Sequence, residues 1–290
     1  MASSSGKTIA ALLAPAGVLV VVFVLVPLAW VVRVSFNEAV AGAYMVSAFT
    51  LKNYTDFLGS SWYLVNTLWF TLRIAVTTTL ITAVLGYPVA LYLARCRGLQ
   101  KNILMTLVLS PLLIGLVTLV YGWIVIFRGG GLLNTVMIAL GVYDEPVKYM
   151  WDIKGVVILL VYIGIPYVVL SLLDSLERID PSFAEAARNA GATRWQAFWK
   201  IVFPLSMPGL YGGTVIVFML NFAAFAVPLM VGANNTQMIG LVIYREAMLN
   251  NNLPFASALS VVMIATGALL VVGTGRLVGR LFLDRLETRR

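Results

Sequence analysis

The sequence has no histidine, a single cysteine and few charges, and each shortage closes a class of function. Without histidine, the common zinc sites and the histidine-activated nucleophiles of hydrolases cannot be assembled. Cys96 alone cannot form a disulfide within the chain, and it sits among basic residues as a spare thiol. Charged residues make up 11% of 290 positions against 61% hydrophobic ones, with a mean hydropathy of +0.95, a balance that no water-soluble surface supports. The main solvent is a lipid bilayer. The net charge of +8 is scattered beside apolar stretches and forms no dense stripe, which argues against a nucleic-acid reader.

Six apolar runs approach the ~20 residues that cross a bilayer. They are roughly Ile9 to Val32, Thr67 to Leu93, Ile103 to Phe127, Val156 to Leu176, Pro208 to Val231 and Phe255 to Val278. The first outruns a signal-peptide core and passes through Pro27 and Trp30 without a small-residue cleavage site, so it reads as a retained helix. One set of connections holds Lys7, Arg95, Arg97, Lys101, Arg178, Arg188, Arg194, Lys200, Arg276, Arg280, Arg285, Arg289 and Arg290. The other holds Arg33, Lys52, Arg73, Arg128, Lys148, Lys154 and Arg245, thirteen cations against seven. The positive-inside rule then places both termini in the cytoplasm. Turn formers such as Arg128-Gly129-Gly130-Gly131 and Gly232-Ala233-Asn234-Asn235-Thr236 mark outer loops open to an external partner.

The cytoplasmic stretch 177–203 is densely punctuated. Asp180 before Pro181 reads as an N-cap and first helical residue, and Gly191 is placed to end that helix in a left-handed conformation. Thr193 and Gln196 have capping-box spacing, so a second helix begins there, before Pro204 interrupts the approach to the membrane. Ala184, Ala187, Arg188 and Gly191 fall on one face of the first helix, whose short side chains suit insertion into a cleft. Trp195, Phe198, Trp199 and Val202 form an apolar stripe on the second, which would anchor the first. On local physics alone, a well-capped amphipathic loop without a partner explains the segment equally well.

The string Glu185-Ala186-Ala187, then Gly191, then Ile201, Phe203 and Pro204, resembles the "EAA" loop of permease subunits of binding-protein-dependent ABC importers. Similarity continues through Ile179-Asp180-Pro181-Ser182 and Pro204-Leu205-Ser206-Met207-Pro208-Gly209. Ala223-Ala224-Phe225, Pro228-Leu229, Gly232, Ala258-Leu259-Ser260, Pro27-Leu28 and Val34-Ser35-Phe36 look like the spermidine/putrescine-type branch. The resemblance implies an all-α, polytopic protein of six transmembrane helices with the type I importer fold. Residues 1–290 would form a single permease domain of the bacterial inner membrane, and 177–203 its coupling loop. It also implies a second homologous permease, two ATPase subunits that bind ATP and Mg, and a periplasmic substrate-binding protein. Ala184, Glu185, Ala186, Ala187, Arg188 and Gly191 would then dock the ATPase. This chain would be non-catalytic, with no cofactor or metal of its own and only membrane lipid as a further partner.

Other signals are weaker. Gly6-Lys7-Thr8 matches the end of a phosphate-binding loop, but that motif needs a glycine five residues before Gly6 and a preceding strand, which the sequence does not supply. Arg73 either snorkels to headgroups or counters a substrate charge, and Asp174 either lines the exit or pairs with a nearby arginine. Asn221, Phe222 and Phe225 are candidate pathway residues, the two aromatics sharing a helical face able to receive an organic cation; ordinary helix packing is the simpler reading. Pro88, Pro111, Pro166 and Pro228 predict kinks inside spans, and Gly209 with Gly213 and Gly275 with Gly279 have the spacing of close helix crossings. A secondary transporter would carry midplane ionisable groups, which are scarce; an ABC exporter lacks this loop; a membrane scaffold would not need the capped small-residue helix. Polyamine is the first substrate reading, with opines, amino-acid-like compounds and phosphonates left open.

Overall fold

The computed structural model describes residues 14–15, 17–40, 43–147, 149–232 and 236–279. Gly6, Lys7 and Thr8, Lys148, Ala233 to Asn235 and the arginines from 280 onward lie outside the described residues. The elements are α1 (Gly17–Val34), β1 (Glu38–Val40), β2 (Ala43–Val46), α2 (Lys52–Gly59), α3 (Trp62–Leu93), α4 (Gly98–Leu113) and α5 (Leu116–Phe127). After them come α6 (Leu132–Ala139), α7 (Ile153–Glu177), α8 (Pro181–Asn189), α9 (Arg194–Phe222), α10 (Ala226–Val231), α11 (Ile239–Met248) and α12 (Leu253–Val278). Six segments among the described residues are long and apolar enough to cross a membrane: α1, α3, Leu116–Ala139, α7, α9 and α12. Among the described residues the architecture is helical apart from the antiparallel β1-β2 hairpin.

Two expected spans are not single helices. The run Ile103 to Phe127 breaks at Ile114 and Gly115, both extended, so α4 and α5 are separate. Pro111 has no N–H for the Leu107 carbonyl, and the Ser110 hydroxyl donates to that carbonyl at 2.8 Å instead. The run Pro208 to Val231 likewise ends at Phe222 and restarts as α10. Pro228 cannot donate to the Ala224 carbonyl, so the helix stops upstream and resumes with the proline in its first turn, where no amide is needed. Pro204, by contrast, interrupts nothing. A wider turn over Phe198–Val202 absorbs the proline's missing bond, and α9 runs unbroken from the loop into the span.

Packing divides the chain into two compact units, Met1–Leu64 with Val242–Thr266 and Val65–Leu241 with Gly267–Arg290. In the first, Asn53 donates to the Ser35 and Asn37 carbonyls at 2.8 and 2.9 Å, tying α2 to the end of α1. Tyr63 meets Phe255 edge to face at 5.2 Å. In the second, α7 is the central helix, packed by α3, α4, α9 and α10. The hydroxyls of Thr71, Thr78, Thr79 and Thr82 donate to carbonyls one turn back on α3, at 2.6 to 2.8 Å, which satisfies them where the bilayer supplies no water.

The α7-α9 contact depends on glycine. A Cβ at Gly209 would lie 2.6 Å from the Ser171 carbonyl oxygen, and one at Gly213 would lie 2.9 Å from Val168 Cα. The close approach lets the Ser171 hydroxyl donate to the Gly209 carbonyl at 2.8 Å. Gly275 meets the Tyr211 hydroxyl in the same way, whereas Gly279 has open space. Gly209→Val therefore forces the two helices apart, a typical overpacking cost of about 1–3 kcal/mol, and lowers the thermal midpoint of the purified protein. Gly273→Val, where nothing lies within 4 Å, leaves it unchanged. Equal midpoints for the two variants would refute the glycine seam.

Candidate functional site

The loop between α7 and α9 is built from local signals, and each one is seated as the sequence required. Asp180 accepts the Ser182 amide at 2.8 Å, capping α8. That bond holds the Asp180 carboxyl below its ordinary value of 3.8. A depressed carboxyl contributes its cap above the ordinary value and loses it only as pH falls through the depressed one, so the cap is intact throughout the neutral range. Gly191 adopts φ +89°. Its amide donates to the Arg188 carbonyl and the Ala192 amide reaches back to the Ala187 carbonyl, both at 3.0 Å, the paired closure of a Schellman motif. Thr193 and Gln196 exchange the two bonds of a capping box at 3.0 and 3.2 Å.

The second helix is fastened to the bundle through its aromatics. Phe198 packs on Tyr87 edge to face at 5.7 Å, and Tyr87 shares a 2.7 Å hydrogen bond with Ser206. Phe198, Val202 and Phe203 lie against the buried cluster of Leu93, Leu172, Leu173 and Leu176. Trp195, at 69% exposed, extends beyond that contact.

The orientation of α8 departs from expectation in one respect. Ala184 and Ala187 are half-buried, because α8 packs against the N-terminal turns of α9 and their short side chains allow that approach. Glu185, Ala186, Arg188 and Gly191 are exposed. The face offered outward is led by Phe183, at 56% exposed, with Ala186 and Ala190 at helical spacing. Phe183 escaped the sequence reading, although a large apolar residue on a helix of small and polar ones is the available signal.

Of the other candidates, Asn221 and Phe225 border one cavity, and Asp174, Arg73 and Phe222 do not line it. Asp174 pairs with Arg178 at 3.0 Å on an exposed helical turn. Arg73 is exposed, and because α3 starts at Trp62 and not Thr67 it lies deeper along its helix than expected. Phe222 and Phe225 share no helical face, since α9 ends between them: Phe222 is buried and stacked on Phe218 at 5.6 Å, while Phe225 lines a cavity. Asn221 is buried and donates to the Thr78 hydroxyl at 2.8 Å while bordering the same cavity. That cavity, of about 780 Å3 within the second unit, lies at both helix breaks and is lined from α4, α5, α7, α9 and α10. Tyr167 also lines it, a residue visible in sequence only as a phenol beside Pro166.

Residues 16–287 match the family described as the binding-protein-dependent transport system inner membrane component. The chain belongs to that family. This permease is 33% identical, over 87% of its length and 91% of the relative's, to the spermidine/putrescine transport system permease protein PotB of Escherichia coli (strain K12). It is 30% identical to the protein of the same description from Haemophilus influenzae, over 86% of each chain. A bacterial alginate ABC transporter, solved in complex with an alginate pentasaccharide-bound periplasmic protein, contains a chain of the same fold. Its TM-score is 0.79 at 16% identity, over 96% of both chains. The protein is thus a multi-pass inner-membrane permease subunit of a binding-protein-dependent ABC importer with the type I fold.

The Gly191 turn gives a sharp test of this permease's loop. No neighbour lies within 4 Å of a Cβ there, so backbone conformation alone selects glycine. Gly191→Ala strains the turn by roughly 1–2 kcal/mol and speeds amide exchange over 190–193, whereas Gly191→Asn, which tolerates φ above zero, exchanges nearly as slowly as wild type. Equal exchange for alanine and asparagine would contradict the account.

Proposed function

We propose that this chain is one of two homologous permeases in an ATP-driven importer of polyamines such as spermidine and putrescine, and that α8 is the helix through which the ATPase moves it. The observation that supports the substrate best is the identity to PotB along almost the whole chain. In this reading two ATPase subunits hold ATP and Mg, this chain carries no catalytic group, and a periplasmic binding protein delivers the solute. Both termini are cytoplasmic, in keeping with the thirteen-to-seven division of Lys and Arg.

The docking surface comprises Glu185, Ala186, Arg188 and Gly191, with Phe183 as its apolar anchor and Ala184 and Ala187 seating the helix from behind. Closure of the ATPase pair draws the two coupling helices together and turns the pathway outward, and hydrolysis resets it. The test is to purify the complex and measure its ATPase activity with the binding protein and a panel of solutes. Spermidine or putrescine is expected to stimulate, and Glu185→Lys to reduce that stimulation about tenfold by reversing a charge at the interface. Absence of an ATPase subunit from the purified complex would overturn the reading, as would stimulation confined to other solutes.

A further inference from the structure

We propose that Lys101 and Glu177 are positioning residues of this importer, an ion pair that fixes the cytoplasmic end of α4 to the point where α7 enters the α8 loop, so that α4 follows α8 when the ATPase closes. The inference rests on the importer reading above and adds to it two residues outside the docking surface. Lys101 Nζ lies 2.5 Å from Glu177 Oε1, between side chains 33% and 41% exposed. The two residues are 76 positions apart in the chain. They are less exposed than the Lys52–Glu38 and Arg178–Asp174 pairs.

Helix electrostatics disfavours both charges where they stand. Lys101 closes the first turn of α4, beside amides that no side chain caps and that prefer an anion. Glu177 is the last residue of α7, beside terminal carbonyls that prefer a cation. Each alone destabilises its own helix; together they neutralise one another. A local rule broken at both ends of one contact is the pattern of a site kept for function. Arg178 does not compete for Glu177, because its guanidinium is taken by Asp174. Next to Lys101, Gln100 donates to the Tyr92 hydroxyl at 2.7 Å, so the first turn of α4 is tied to α3 as well.

The rest of α4 gives no such fix. Leu104, Met105 and Val108 share a face with Lys101 and lie against the buried cluster that includes Leu172, Leu173 and Leu176 of α7, while Leu99, Ile103 and Leu107 are exposed on the other side. An apolar stripe does not set the angle or height of a helix in a bilayer, where lipid tails are equally apolar, whereas a charged hydrogen bond is directional. From Glu177 the chain reaches the Asp180 cap through Arg178 and Ile179, and Ile179 packs on the same cluster. Displacement of α8 therefore arrives at Glu177 through a short, anchored connection and passes to α4, whose far end is the break at Ile114 and Gly115.

The test uses the assembled importer in proteoliposomes, in the Cys96→Ser background, with Leu99→Cys carrying an environment-sensitive fluorophore on the exposed face of α4. Trapping the ATPase with ATP, Mg and vanadate is expected to shift the emission while the pair is intact. Lys101→Met, which keeps the apolar stem, and Lys101→Glu, which repels Glu177, are expected to reduce the shift about threefold or more. Combining Lys101→Glu with Glu177→Lys is expected to restore the shift, and the thermal midpoint of that complex to equal or exceed wild type, because each charge then suits its helix end. No shift in a wild-type complex that hydrolyses ATP would overturn the proposal, as would a full shift in the single variants or no restoration by the swap. A thermal midpoint that falls in step with the shift across the variants would mark the pair as structural alone and overturn it too. No solute enters the measurement, so failure of spermidine to stimulate hydrolysis counts against the substrate reading of the previous subsection and leaves this result standing.

Discussion

The close approach of α7 and α9 at Gly209 and Gly213 is the contact on which the rest of the second unit depends. In a bilayer, helices gain little by burying apolar surface from one another, since lipid tails are equally apolar; what holds them is dense packing and the hydrogen bonds that packing permits. Here the missing side chains let the Ser171 hydroxyl reach the Gly209 carbonyl, and let Val168 and Tyr167 lie against the α9 backbone. The same two helices carry α8 and its flanking turns between them. Because their contact is tight, the loop is held at both ends.

The loop and the cavity are joined by a single element. α9 begins with the Thr193 capping box, is fastened by Phe198 on Tyr87, and ends at Phe222 where the cavity opens beside Leu220 and Asn221. Twenty-nine residues at the helical rise span about 43 Å, so one rod reaches from the loop to the cavity.

Much of this was legible in the sequence because it is encoded locally. Asp180-Pro181, Gly191 and Thr193 with Gln196 each act within four residues, and the structure shows the bonds their chemistry requires. Apolar runs likewise located the spans, because the bilayer imposes a length on them. What escaped depends on the backbone or on neighbours distant in sequence. The residues on both sides of Ile114-Gly115 and of Ala223-Phe225 are apolar, so hydropathy could not show that the helices stop there. The inward turn of Ala184 and Ala187 follows from packing against α9, whereas the pairing of Asp174 with Arg178 was one of the two readings the sequence allowed. The β1-β2 hairpin lies in a connection with no hydrophobic alternation strong enough to announce it.

The central claim is that the exposed face of α8 is where force enters, and site-directed cross-linking reads it directly. In the Cys96→Ser background, Ala186→Cys carrying a short thiol-linked photocross-linker is compared with Val84→Cys, which is 71% exposed on a membrane-spanning helix. In the assembled complex, Ala186→Cys is expected to give one adduct with the ATPase subunit, and Val84→Cys none. Absence of that adduct from a complex that still hydrolyses ATP in response to its binding protein would contradict the account.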